Sequence, residues 1–409
     1  MREPVERPEA MRWASAFSSN ADAGTAAAEA CAALEAALGS GPLDLAACFF
    51  SAAHVGAAGK IAETLKRRLE PGCLVGASAN GVITSGHEVE SGAALTLIGA
   101  RLPEVEIHPF ILAREMWEEA ARDPVEFQRC APHAIGAEIV MMLADPFTLD
   151  TDDVLTAFHR GAPEVRIVGG LASAGVRPGS NALILNDWVA GEGGVALAFE
   201  GELRADVVVS QGCRPVGPPL TVSRVDGNVV LELDGQPALE RAEQVLRELA
   251  GKEREHLKSG LYVGRPVRAG ASGRGDYLIR NLLGADRDRG FIAVGDQLAA
   301  QEQIRLHVRD AASAREDLEL LLSPQAFDTR AAAALIFTCN GRGRGLYGVP
   351  DGDISTLQSA LGGAVPAAGM FCAGEIGPIG ARNFVHGHTA SIAIVRPAGS
   401  AAGGPDPGE

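Results

Sequence analysis

Leu43-Asp44-Leu45-Ala46-Ala47-Cys48-Phe49-Phe50, followed by Cys73-Leu74-Val75-Gly76-Ala77-Ser78-Ala79-Asn80-Gly81, decides the fold. The first stretch is an apolar run of strand length. Between the two, from His54 to Leu69, the residues Ile61, Leu65 and Leu69 recur four apart and share one face of a helix. The second stretch is another strand that ends in a glycine loop, Gly76-x4-Gly81, and a further strand-like run follows at Ala93–Ile98. Strand, helix and strand form a crossover with two parallel neighbours. The last strand is expected to return antiparallel.

The same order recurs twice. Glu138–Leu143, a helical pattern at Asp152–Arg160, Val165–Val168, Gly170-x4-Gly175 and Gly194–Phe199 make a second unit. Ala331–Phe337, a helical pattern at Asp353–Leu361, Ala364–Ala368, Gly369-x4-Gly374 and Thr389–Val395 make a third. In the second helix Asp152 is the expected cap. The fold class that follows is α/β: two domains with mixed β-sheets flanked by helices, built on three strand–helix–strand–Gly-loop–strand units.

Between the second and third units the pattern changes. Asp206–Ser210 reads as a strand, and Gln211–Pro219 as a breaker-rich turn. Asp226-Gly227 joins two strand-like runs as a hairpin. A helix is expected from about Pro237 to Lys258, then strands at Tyr277–Asn281, Phe291–Val294 and Gln303–Val308, and a helix at Ala311–Leu322. We place the division near residue 235, giving a tail at 1–11, domains at 12–235 and 236–397, and a second tail at 398–409.

The chain has 409 residues, 36 basic against 52 acidic, for a net charge of −16. That balance, with no basic run, argues against nucleic acid and anionic membrane surfaces. Only four of the basic residues are lysines, and with abundant Ala and Gly this reads as the codon usage of a GC-rich bacterial genome. Seven widely spread cysteines without a Cys-x-x-Cys fit free thiols in a reducing compartment. Residues 1–10 contain no apolar signal core, and no apolar run approaches a membrane span. A cytoplasmic protein without membrane insertion is expected.

These residues carry a resemblance. Gly76-Ala77-Ser78-Ala79-Asn80-Gly81-Val82-Ile83, Glu88-Val89-Glu90, Leu102-Pro103 and Ser210-Gln211-Gly212-Cys213-Arg214-Pro215-Val216-Gly217 resemble the N region of FIST-domain proteins. Arg309-Asp310, Cys339-Asn340-Gly341-Arg342-Gly343, Val365–Gly369, Gly374-Glu375-Ile376-Gly377-Pro378 and His386-Gly387-His388-Thr389-Ala390-Ser391 resemble the C region. The resemblance covers about residues 13–397. It implies a sensory domain for small ligands, proposed to include amino acids, within signal transduction. No output domain is recognisable after residue 397, so a signalling partner protein is implied. The family supplies no catalytic set to carry over.

Chemistry and spacing suggest roles within that frame. Asn340-Gly341-Arg342-Gly343-Arg344-Gly345 follows a buried-looking strand, and its glycines and two guanidinium forks suit an anion. The alternative is a glycine turn with solvated arginines. Gly343-x-Gly345-x-x-Gly348 matches a dinucleotide fingerprint only in letters, because Pro350 interrupts the helix that should follow. Glu375, on a tight loop, either accepts from a ligand ammonium or caps the loop itself. Ser78 and Asn80 occupy the corresponding polar positions of the first loop, and Ser173 that of the second. His386-x-His388 is a weak metal pair whose third ligand has no address in the sequence, although Cys372 or His87 could converge in space, and the blander reading has one imidazole hydrogen-bonding a ligand or the chain. Cys213, Cys372 and Cys73 read as buried small hydrophobes before nucleophiles. Asp310 reads as a helix cap.

The expected ligand-binding set is therefore Asn340, Arg342, Arg344, Glu375, Asn80, Ser78 and His386, with no catalytic residue, metal or cofactor. The glycine loops are expected to converge on a polar cleft between the domains. The favoured function is a sensor for an amino acid or related carboxylate. The alternatives are a hydrolase or transferase using a cleft Cys or His, and an adaptor that only docks a partner.

Overall fold

The computed structural model describes residues 10–249, 251, 257, 260–268 and 274–399. Most of both expected tails lies outside the described residues. All three units form as crossovers with an antiparallel return strand. Leu45–Ser51 and Cys73–Ala79 are parallel, as are Ile139–Ala144 with Arg166–Leu171 and Ala333–Cys339 with Ala367–Cys372. The return strands are Leu95–Arg101, Gly194–Gly201 and Ala390–Pro397, each antiparallel to the first strand of its unit. A leading strand pairs outside each return strand: Arg12–Ser18, Val105–Leu112 and Leu203–Ser210.

Each sheet is completed by a hairpin from a different unit. Val82–Ile83 with Glu88–Val89, from the first unit, extends the third sheet beyond Ala367–Cys372. Glu375–Ile379 with Arg382–His386, from the third, extends the second beyond Arg166–Leu171. Leu183–Leu185 with Trp188–Ala190, from the second, extends the first beyond Cys73–Ala79. The three units thus exchange hairpins in a ring. Their inner faces share one apolar core containing Phe49, Met141 and Phe337. Phe49 meets Phe337 edge to face at 5.8 Å, a favoured aromatic geometry.

Helices cover the outer faces. Ala58–Leu69 buries Ile61, Leu65 and Leu69, the face read from the sequence. Thr151–Gly161 is capped by Asp150, which accepts from the Asp152 and Asp153 amides, so the cap lies two residues before the expected Asp152. Gly352–Ala360 covers the third sheet with Ile354 and Leu357 buried. The helix Ala23–Leu38 was not among the expected elements; its buried face is mostly alanine, a strong helix former with little hydrophobic contrast.

The second body is a closed six-stranded barrel. Its order is Cys213–Asp226, Gln303–Arg309, Leu261–Pro266, Tyr277–Asp286, Phe291–Val294 and Val229–Leu233, which pairs back to Cys213–Asp226. Gln211–Pro219 is therefore not the expected turn: the long strand starts at Cys213. Pro218 and Pro219 are tolerated because the register is broken between Val216 and Leu220, where they have no ladder bond to give up, while Pro215 stands in register opposite His307. Ala238–Glu248 packs Ala238, Ala242 and Val245 onto the barrel core. Much of the stretch expected to continue that helix to Lys258 lies outside the described residues. The chain enters the barrel through Gln211-Gly212 and leaves it at Asp310. Among the described residues no helix is long and apolar enough to cross a membrane.

Candidate functional site

The glycine pairs interlock the three units at the ends of their parallel strands. Gly369 lies inside its strand, where a Cβ would stand 1.8 Å from the Ile336 carbonyl. The Asn80 amide donates to Ser173 Oγ at 2.9 Å, and that hydroxyl donates to the Phe371 carbonyl at 2.6 Å. The Phe371 amide donates to the Gly81 carbonyl, and the Leu171 amide to that of Gly374. Ser78 is buried, and its Oγ accepts from the Ala182 amide at 2.8 Å. Ser78, Ser173 and the Asn80 backbone therefore hold loops together, and the Asn80 residue is exposed.

Arg342 is fully buried and forms a bidentate pair with Asp353, Nε to Oδ2 and Nη2 to Oδ1, both at 2.7 Å. Tyr347 and Thr338 hydroxyls also donate to that carboxylate, at 2.7 and 2.6 Å. Burial alone would raise the Asp353 carboxyl, but Arg342 and these hydrogen bonds bring it below its usual value. Glu88, from the exchanged hairpin, accepts from the Asp353 and Ile354 amides at the helix start. Burial, then the nearby Asp353 charge, push Glu88 up to about 7. Most of the Arg342 fork is thus committed within the protein, with Nη1 left unpaired. Arg344 is exposed, and its amide donates to Glu90 Oε1 at 2.9 Å.

Nη1 of Arg342 points toward the junction of barrel and third unit: a Cβ on Gly212 would lie 2.8 Å from it. Arg309, the last residue of a barrel strand, enters the same junction. Its Nη1 donates to the Gly341 carbonyl at 3.1 Å and to His388 Nδ1 at 3.3 Å. His388 Nε2 therefore carries the proton and donates to Asn281 Oδ1 at 2.8 Å, across to the barrel. Burial, then the Arg309 charge, push His388 down to about 4, so the ring is neutral. It is held at φ +67, a left-handed conformation uncommon for a side-chain residue.

Glu375 completes the group. Its Oε2 accepts from the Thr389 amide at 3.1 Å and hydroxyl at 2.6 Å, and Oε1 is buried without a partner. Burial pushes its carboxyl up to about 8 against the Thr389 bonds and the Arg342 and Arg309 charges. Nε and Nη2 of Arg309 are likewise buried and unpartnered, with the residue only 5% exposed. The half-buried Cys339 lies beside Gly341, which is exposed, as is Asn340. Asn340 donates its amide to the Cys372 carbonyl.

Of the expected residues, Glu375 and Arg342 come together here, and Asn340 stands at the rim. His386 does not join them in a metal pair: its Nε2 donates to the Gly377 carbonyl at 2.9 Å, while His388 turns to Arg309 and Asn281. Arg309 and His388 were missed as site residues. The available signal was Arg309-Asp310, where Asp310 does cap Ala311–Leu322, which leaves the preceding arginine at a strand end facing the third unit.

Models of the FIST N domain and the FIST C domain match residues 44–236 and 238–378. They meet inside the barrel. An uncharacterized protein of Mycobacterium tuberculosis (strain CDC 1551 / Oshkosh) is 35% identical over 388 residues, covering 94% of this chain and 99% of its own. Another, from Mycobacterium bovis (strain ATCC BAA-935 / AF2122/97), is 36% identical over 377 residues, covering 91% and 96%. Among solved structures, cyanuric acid hydrolase from A. caulinodans aligns over 95% of this chain and 100% of its own, at 9% identity and a TM-score of 0.38. FIST domains are associated with sensing and signal transduction. By both domain models and the full-length relatives, the chain belongs to the FIST family.

Proposed function

We propose that this protein is a small-ligand sensor that takes an organic carboxylate, amino acids included, at the junction of the barrel and the third unit. One observation carries the reading: Arg309 is buried with Nε and Nη2 unpaired, and its charge acts on Glu375, whose Oε1 is buried and unpaired too. A buried cation without a carboxylate partner is costly, and an anionic ligand accepting from its fork removes that cost. Arg342 Nη1 supplies a further donor. Glu375, protonated at neutral pH, donates from Oε1 to a carbonyl, hydroxyl or carboxylate oxygen, and a ligand ammonium would draw that proton off.

Ligand contact with Arg309 and with Glu375 links the barrel to the core. The two bodies are otherwise joined in sequence only by the connections at Gln211-Gly212 and Arg309-Asp310, so a bridging ligand favours one relative placement over others. A partner protein reads that placement. Burial pushes the Cys213 and Cys339 thiols up to about 12 and about 11, which leaves little thiolate and weighs toward binding over nucleophilic chemistry.

Calorimetric titration with a panel of mono- and dicarboxylates and amino acids tests the reading. Arg309→Ala should weaken the responding ligand by about 1.5–3 kcal/mol, the worth of a charged hydrogen bond, while Arg344→Ala, outside the junction, should leave it unchanged. Equal affinity in wild type and Arg309→Ala would remove Arg309 as the anchor.

A further inference from the structure

We propose that His108, His133 and Glu200 form a site for a divalent transition cation of the zinc class, at the outer edge of the second sheet. The site is separate from the carboxylate junction. Glu375 lies toward the opposite edge of that same sheet, in Glu375–Ile379, whereas His108 lies in the edge strand Val105–Leu112.

The register builds the cluster. Glu106 and Glu200 are direct partners across the antiparallel pair Val105–Leu112 and Gly194–Gly201. Two carboxylates placed so repel each other unless a positive charge stands between them. His108, two residues from Glu106, falls on the same face of the strand. His133 reaches in from the short turn Pro132–Ala134.

The distances are those of ligands around an ion. His108 Nε2 lies 3.7 Å from Glu200 Oε2 and 3.6 Å from Glu106 Oε2, and His133 Nδ1 lies 3.6 Å from Glu200 Oε1. These separations are too long for hydrogen bonds. Nitrogen and oxygen ligands about 2.0–2.2 Å from a tetrahedral zinc stand roughly 3.3–3.6 Å apart. His108 Nε2 is moreover buried without a hydrogen-bond partner, close to two carboxylates whose negative charge favours a cation there. The two imidazoles stack with centroids 3.6 Å apart. The half-exposed His133 ring must tilt from that stack for both nitrogens to address one ion, and its exposure leaves it room to do so. Two imidazoles with one or two carboxylates suit zinc and its neighbours over calcium or magnesium, which prefer oxygen alone. The ion ties the sheet's edge strand to the Pro132–Ala134 turn.

The test is a Zn2+ titration of the whole protein against a chromophoric chelator, repeated on His108→Ala, His133→Ala and Glu200→Gln. One Zn2+ per chain is expected in the wild type. Each variant should weaken it by more than the roughly tenfold that even a change behind the ligands costs. Circular dichroism in chelator checks that the variants fold, and His133→Ala, half exposed, is the one expected to match wild type there. Co2+ in place of zinc should give d–d bands without thiolate-to-cobalt charge transfer. Three results would overturn the site: no Zn2+ withdrawn from the chelator, undiminished binding in the folded His133→Ala variant, or a thiolate signature showing the ion on the cysteines.

Discussion

Glu375 shows how one residue changes meaning between sequence and structure. Its neighbours Gly374 and Gly377 mark it as an acid on a tight loop, whereas the structure confines the bend to Ala373-Gly374 and makes Glu375 the first residue of the strand Glu375–Ile379. Its partner Thr389 lies fourteen residues on and its burial is complete, and neither follows from local spacing. Burial gives a pH dependence. The folded carboxyl, at about 8 against an ordinary 4.5, keeps its proton where the unfolded chain has lost it. Its contribution to stability is full below the unfolded value and is lost as pH rises toward about 8. Glu375→Gln keeps the neutral shape and removes that loss. Urea unfolding should therefore show the variant gaining on the wild type between about pH 5 and about pH 8. A stability difference that stays constant with pH would mean the carboxyl is ionised in the fold. Arg342 illustrates the opposite limit: its anion-seeking fork was visible, but the Asp353 that occupies most of it was read only as the start of a helix.

At the scale of elements, the crossovers were legible because each combines an apolar strand, a helix of period 3.6 and a second strand in fixed order. The barrel was less so. Leu261–Pro266 carries no strict alternation, and the prolines of Cys213–Asp226 read as a turn because tertiary pairing, with its broken register, overrides the local signal. The glycines inside the parallel strands mark where chains approach too closely for a side chain. Gly369→Ala would set a methyl 1.8 Å from the Ile336 carbonyl. Relief requires the strands to part, so a loss of about 1–3 kcal/mol or more is expected in chemical denaturation. Because Ala367–Cys372 leads through Ala373-Gly374 into the strand that starts at Glu375, the affinity for the proposed carboxylate ligand should fall with it. An alanine variant as stable as wild type would show that the strand pair can spread without cost.

For the whole molecule, three similar units were readable but their exchange of hairpins was not, since no local feature says which sheet a hairpin will join. The exchange predicts that damage travels between units. Ile83 belongs in sequence to the first unit, yet it is buried with Ile336 and Phe371 in the third. Ile83→Ala should cost about 2–5 kcal/mol, and hydrogen exchange should quicken at Gly369 and Met370, the strand partners of Ile83 and Val82. Quickening confined to Leu45–Ser51 and Cys73–Ala79 would contradict it. The ring also bears on how the chain is made. A ribosome delivers the residues in order, so Arg166–Leu171 presents an uncovered sheet edge until Glu375–Ile379 emerges some two hundred residues later. Open edges invite pairing with other chains. A message truncated before that point yields a product with a sticky second sheet, whereas the finished chain closes every crossover with a hairpin of its own.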